Sequence, residues 1–216
     1  MKVVAFNGSP RKTWNTAQLL EKAMEGLASG GAETTLVHLY DLDFKGCKSC
    51  FGCKLKGAKS YGKCAIQDDL TPVLAQVMQA DALLLGSPVY FWGVTGEMKS
   101  FLERLLFPHY RYAREGAAPS LFPRAIPTGF IYTMGAPEAR MKECGYDQAI
   151  ALNQMFLAKV FGRSEAMVSC DTYQFEDYAR IDQDRYDEAV KAAQRDRQFP
   201  LDCRKAFELG ARLAAG

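Results

Sequence analysis

At 216 residues, 48% hydrophobic and 24% charged, the chain is long enough for a full hydrophobic core and too apolar for wholesale disorder. Its formal charge of +2 is nearly neutral, which removes any global argument for a nucleic-acid or membrane surface. No run reaches the 18 or so apolar residues that span a bilayer, and Met1–Phe6 is too short for a secretory signal, so a cytoplasmic location is expected.

In chain order, Lys2–Phe6 is a β-branched and aromatic run suited to a buried strand. Asn15–Ala28 has apolar residues at helical spacing, through Leu20, Ala23, Met24 and Leu27. Thr34–Leu39 is expected to be a second strand, and Leu70–Gln79 a helix. Ala82–Leu85 is expected to be a strand that ends in a Gly86-Ser87-Pro88 turn, with Glu97–Leu106 a helix after it. Ala125–Tyr132 and Ala166–Ser169 complete the strands. Tyr146–Phe161 is a helix, and so is 184–213, with a break expected near Phe199-Pro200. Strands alternating with helices predict one α/β domain over residues 1–216, a doubly wound five-stranded parallel sheet with helices on both faces. Two connections, about 43–67 and 107–124, are too long for plain linkers; such loops are functional or form interfaces.

The loop after the first strand runs Gly8-Ser9-Pro10-Arg11-Lys12-Thr13-Trp14-Asn15-Thr16 into a helix. A helix start at a strand's carboxyl end offers unpaired N–H groups and a positive dipole to an anion. Ser9, Asn15 and Thr16 add side-chain donors, and Arg11 offers a fork matched to phosphate oxygens. Neither the Walker nor the dinucleotide fingerprint is present, which counts against an ATPase. The bland alternative is an ordinary capped turn, with Thr13 or Asn15 as the N-cap.

A second segment, Gly86-Ser87-Pro88-Val89-Tyr90-Phe91-Trp92-Gly93, follows the third strand. Together the two segments resemble the NADPH-dependent FMN reductase family, a flavodoxin-like group, and are most similar to its iron–sulfur flavoprotein branch. Motif coverage extends from residue 1 to about 135. The resemblance implies that Ser9, Arg11, Asn15 and Thr16 hold the FMN phosphate, and that Pro88, Val89, Tyr90, Phe91 and Trp92 run along the isoalloxazine ring. It implies too that the Thr133-Met134-Gly135-Ala136 turn approaches the ring from the other side. Aromatic core packing is the competing reading for Tyr90, Phe91 and Trp92. The activity implied is hydride transfer from NAD(P)H to bound FMN and onward to a quinone, flavin or other acceptor. The cofactor does that chemistry, so no catalytic acid–base residue is expected. A homodimer or homotetramer is implied by resemblance alone.

The first long loop carries Cys47-x2-Cys50-x2-Cys53 and then Cys64, among Lys45, Lys48, Lys54, Lys56, Lys59 and Lys63. Thiolates spaced in this way can converge on a [4Fe–4S] cluster, and nearby positive charge favours them. Ten residues separate Cys53 from Cys64, whereas the iron–sulfur flavoprotein pattern has a tighter last gap. Cluster, zinc and metal-free thiols remain open. So do two further roles on this fold, an electron carrier fed by ferredoxin and a non-enzymatic thiol sensor. The lysines are either a solvated surface or an attractor for the 2′-phosphate of NADPH or an acidic partner. Cys144, Cys170 and Cys203 read as small buried residues. The second long loop, with His109, Tyr110, Arg111, Tyr112 and Arg114, is expected to cap the flavin or to form a subunit contact. With only His38 and His109 in the chain, a histidine metal site or triad is not expected.

Overall fold

The computed structural model describes residues 1–216. Strand β1 (Lys2–Asn7) leads to helix α1 (Asn15–Ser29) and strand β2 (Glu33–His38). Helix α2 (Leu70–Val77), strand β3 (Ala82–Tyr90), strand β4 (Gly93–Val94) and helix α3 (Gly96–His109) follow. Strand β5 (Ile126–Thr133), helices α4 (Glu138–Glu143) and α5 (Tyr146–Phe161), strand β6 (Gly162–Ser169) and helix α6 (Glu188–Ala215) complete the chain. Strands β2-β1-β3-β5-β6 lie side by side and pair in parallel, while two-residue β4 pairs antiparallel with the end of β3. The sheet therefore has six strands, not the five expected. The order is the flavodoxin-like one, with its switch point between β1 and β3.

The two-residue period of the central strands divides the core in two. Val4, Phe6, Leu83, Leu85, Phe130 and Tyr132 face a layer built by α2, α3 and α5. Val3, Ala5, Ala82, Leu84 and Ile131 face α1 and α6. Helices α1 and α6 approach closely because two glycines meet there. A Cβ on Gly26 would lie 2.0 Å from the Phe207 carbonyl oxygen, and one on Gly210 would lie 1.9 Å from that of Ala23.

Two expectations are corrected. The break near Phe199-Pro200 is absent, and Pro200 sits inside an uninterrupted α6. Phe199, Ala206, Leu209 and Leu213, buried against α1 and the sheet, hold the helix through the proline. Gly86-Ser87-Pro88 is not a turn either, since β3 continues through it to Tyr90. Ser87 and Pro88 still pair with Tyr132 and Thr133 of β5. Gly86 is needed for close packing, because a Cβ there would lie 2.7 Å from the Leu20 side chain. No helix is long and apolar enough to cross a membrane.

Candidate functional site

At the switch point the Gly8–Trp14 loop turns out of β1. The Asn7 side chain starts the turn by accepting from Ser9 N–H at 2.9 Å, and its amide nitrogen lies 3.1 Å from His38 Nδ1. Ser9 Oγ then accepts from Arg11 N–H at 3.2 Å. Thr95 Oγ1 donates to the Gly8 carbonyl at 2.7 Å, and Thr95 N–H donates to Ser87 Oγ at 3.1 Å, so one buried network ties this loop to β3.

The N-cap of α1 is Trp14, not Thr13 or Asn15, and no side chain caps the helix. Gln18 N–H, bonded to the Trp14 carbonyl at 3.0 Å, is the first amide to close back on this turn. The Asn15, Thr16 and Ala17 amides are left without a backbone acceptor, the condition that makes a helix start an anion site.

Ten of the twelve residues expected to bind the cofactor line one cleft here: Ser9, Arg11, Asn15, Thr16, Pro88, Val89, Tyr90, Thr133, Met134 and Gly135. Thr16 and Thr133 hydroxyls, 2.8 Å apart, join the loop to the end of β5. Phe91 and Trp92 do not line the cleft. They form the tip of the β3–β4 hairpin, both at positive φ (44° and 68°). Such a two-residue turn requires left-handed backbone at both central positions, which normally selects Asn and Gly. Phe91 is 95% exposed, and Trp92 Nε1 donates to the Cys144 carbonyl at 2.9 Å.

Three lining residues were missed by sequence reasoning: Trp14, Thr172 and Gln174. Arg11 stacks over Trp14 at 3.9 Å, and both ends of its guanidinium donate to the Gln174 carbonyl at 2.9 Å. Asn15 Nδ2 donates to the Tyr173 carbonyl at 2.8 Å, and Arg195 of α6 donates to Asn15 Oδ1 at 3.3 Å. These bonds draw the 172–174 segment across the loop and narrow the cleft to about 90 Å³. Nothing in the composition of 172–174 marks it as part of a site; it arrives by topology, following β6. The donor set fits a phosphate: a guanidinium fork, a helix start with free amides, and hydroxyl and amide side chains.

The cysteine loop behaves differently. Cys47, Cys50, Cys53 and Cys64 are all free thiols, and no three His, Cys, Asp or Glu side chains gather as a metal site. The four sulfurs, whose spacing allows them to converge, do not gather here, and the residues as they sit do not fit a cluster. The loop is organised instead by Arg104, on the same face of α3 as Phe101 and only 1% exposed. Arg104 Nε donates to Cys64 Sγ at 2.9 Å. Its Nη1 donates to the Lys45 carbonyl at 2.9 Å and to Asp68 at 2.7 Å, and its Nη2 donates to Asp68 at 3.0 Å. The guanidinium holds the Asp68 carboxyl below its ordinary range, and burial pushes the Cys53 thiol up. Lys54, one of the lysines expected either to be solvated or to attract a phosphate or acidic partner, donates to the Pro108 and Tyr110 carbonyls and lies over the Phe107 ring at 4.7 Å. Sequence spacing carried a signal for Arg104, a charge three residues after core residue Phe101.

The second long loop does not cap the cleft. After α3 ends at His109 it folds back as a Tyr110–Ser120 bridge and packs against α5 through Phe122–Phe161 and Tyr110–Phe156. His109 is buried against Phe122 and Phe161, and desolvation lowers its pKa to about 4, with Lys54 adding to the effect. Cys144, Cys170 and Cys203 are half-buried rather than buried. Burial, with nearby acids, pushes Cys170 to about 11.

Comparison with known proteins agrees with this geometry. The family model described as NADPH-dependent FMN reductase matches residues 1–121. An iron–sulfur flavoprotein of Methanocaldococcus jannaschii is 39% identical over 104 residues, 48% of this chain and 51% of that one. One from Archaeoglobus fulgidus is 42% identical over 104 residues, 48% of each chain. The chain thus spans about half the length of the curated relatives it matches. Among solved structures, the NAD(P)H:quinone oxidoreductase of Methanothermobacter marburgensis superposes with a TM-score of 0.69, covering 99% of this chain and 96% of that one. At 15% identity, that likeness speaks for the fold alone.

Proposed function

Because this chain belongs to the NADPH-dependent FMN reductase family, we propose that it is an FMN-dependent oxidoreductase using NAD(P)H as the reductant. One observation carries the reading: the loop after β1, the end of β3 and the end of β5 bring to one cleft at the switch point ten of the residues that the family resemblance implies. When bound, FMN supplies hydride acceptance from NAD(P)H and electron delivery to a quinone, free flavin or other acceptor.

The chain's own residues bind and orient. Arg11, Ser9, Asn15, Thr16 and the free amides of α1 take the phosphate. Pro88, Val89 and half-exposed Tyr90 form one wall for the ring, and Thr133, Met134 and Gly135 form the other. A cleft of about 90 Å³ is below the roughly 300–1,000 Å³ of ordinary ligand pockets. Ligand entry therefore exchanges the Arg11–Gln174 and Asn15–Tyr173 bonds for bonds to phosphate, and the 172–174 segment moves back. Exposed Leu152, Met155 and Phe156 on α5, with exposed Tyr112 joined to Phe156 through Tyr110, are where a homodimer or homotetramer contact belongs in this reading. Seven free thiols suit a cytoplasmic location.

A second reading, an electron carrier with a [4Fe–4S] cluster on Cys47, Cys50, Cys53 and Cys64, is favoured by the names of the relatives and by the cysteine spacing. The engagement of Cys64 by Arg104 and the scattered thiols favour metal-free cysteines. The deciding measurement is the absorption spectrum of protein purified without oxygen, with FMN and iron assayed on the same sample. Flavin bands without iron are the expected result. Flavin with about four irons per chain transfers the assignment to the carrier. No flavin, even after FMN is added, removes the central claim.

A further inference from the structure

Lys191 stands in the first turn of α6 and is only 3% exposed. A buried ammonium is costly unless it is paired and hydrogen-bonded. Its Nζ donates to the Gly135 carbonyl at 2.5 Å and to the Asp171 carboxylate, and it lies 4.4 Å over the Tyr186 ring. The two acceptors belong to the turns that follow β5 and β6. Those turns are joined to each other, since Thr172 N–H donates to the Met134 carbonyl at 3.0 Å and Asp171 N–H donates to that of Ala136 at 2.8 Å. Thr133, Met134, Gly135 and Thr172 from these turns line the cleft, and Lys191 does not.

A trans peptide points its C=O and N–H in opposite directions. With the Gly135 carbonyl held by Lys191, the Ala136 N–H is turned away from Lys191 and has no hydrogen-bond partner in the protein; Ala136 adjoins the cleft through Gly135 and is not itself part of its lining. A hydrogen bond on a carbonyl also polarises its peptide and strengthens the N–H as a donor, most of all in a low-dielectric surrounding.

We propose that Lys191 is a positioning residue that sets the Gly135–Ala136 peptide as a reinforced donor to the electron-rich edge of the flavin. By doing so it stabilises the reduced, negatively charged ring over the oxidised one. The proposal rests on the FMN reading above. Asp171 opposes the Lys191 charge, so the two residues act on the bound flavin with opposite signs.

The test measures FMN affinity in both redox states, and the midpoint potential of bound FMN against a reference dye, for wild type, Lys191→Met, Lys191→Arg and Asp171→Asn. Lys191→Met is expected to weaken binding of reduced FMN about tenfold more than that of oxidised FMN, which lowers a two-electron potential by about 30 mV. Asp171→Asn is expected to raise the potential, and Lys191→Arg to stay near wild type. A purely structural role for the pair shifts Lys191→Met and Asp171→Asn in the same direction or shifts neither, and either result overturns the proposal. If Lys191→Met does not fold, Asp171→Asn decides the matter by the sign of its shift. Wild type that binds no FMN removes the function and this proposal together. Tight FMN binding with unshifted potentials removes only the role of Lys191.

Discussion

The phosphate-type loop after β1 and the cysteine loop before α2 both stand out in the sequence, yet only the first gathers as its spacing suggests. The first is seven residues, Gly8–Trp14, fixed at both ends by secondary structure, with β1 inside the sheet and α1 packed on α6. Its side chains are placed by short-range geometry, including the Asn7 turn, the Ser9 bond and the Thr16–Thr133 pair. The second has no strand to fix it, and its shape comes from a residue forty positions away, Arg104 of α3. Motif spacing predicts a site where local backbone fixes the side chains, and it falls short where a distant buried charge does.

That contrast can be broken most directly at Arg104. Arg104→Met removes the donors to Cys64, Lys45 and Asp68, and breaking a buried pair in this way costs about 3–5 kcal/mol. Urea unfolding should show that loss, and thiol labelling of Cys64 should accelerate, while FMN affinity of the folded protein stays within about twofold. Loss of FMN binding in folded Arg104→Met would show that the two regions are coupled after all.

Acid provides a second, somewhat smaller lever on the same side of the molecule. Burial keeps the His109 ring neutral to about pH 4, whereas the unfolded chain takes up that proton near 6.5. The unfolded state then binds more protons between these values, so stability falls as pH drops from about 6.5 towards 4. At about 1.4 kcal/mol per pH unit the loss reaches at most about 3 kcal/mol. The Asp68 carboxyl, lowered by Arg104, adds a separate loss below its ordinary value of 3.8. His109→Phe should flatten the slope of urea stability between pH 7 and 5, and an unchanged slope would assign it to other groups.

On the cleft side, Arg11→Ala is expected to weaken FMN binding by about 1.5–3 kcal/mol, the worth of hydrogen bonds to a charged group, with Cys64 labelling unchanged. Fluorescence titration reads the first effect. Unchanged affinity would remove Arg11 from the phosphate site and leave it as a clasp on Gln174.

Much of this architecture is legible in the sequence because hydrophobic period and strand-end motifs are local signals. Tyr146–Phe161 is found with the expected ends, and the other main elements differ mainly in their termini. What escapes is whatever depends on partners distant in sequence. Pro200 reads as a helix break until α1 is known to pack against α6. Gly86-Ser87-Pro88 reads as a turn until β5 is seen to pair beside it. The 172–174 segment has no motif at all, and it reaches the cleft only because β6 lies next to β5. The carbonyl acceptors of Lys54 and the carboxylate acceptor of Arg104 appear only in three dimensions.

The smallest effect is expected at the hairpin tip, where two of the three aromatic residues expected at the flavin, Phe91 and Trp92, lie outside the cleft. Phe91 is held at φ 44° and is 95% exposed, so it gives up backbone preference with little burial in return. Left-handed backbone costs a bulky residue on the order of 1 kcal/mol or more, and Asn adopts it more readily. Phe91→Asn should therefore raise stability by about 1 kcal/mol in urea unfolding and leave FMN affinity unchanged. Higher stability with weaker FMN binding would mean that the tip folds over the ring in the bound state, and that the strain at Phe91 is retained for the ligand. Trp92 separates the two cases further, because its Nε1 is bonded to the Cys144 carbonyl and its ring meets Tyr146 edge-on. A tip anchored in that way to the start of α5 has to release Trp92 before it can reach the cleft, so Trp92→Phe, which removes the bond and keeps an aromatic ring, should strengthen FMN binding only if the tip moves.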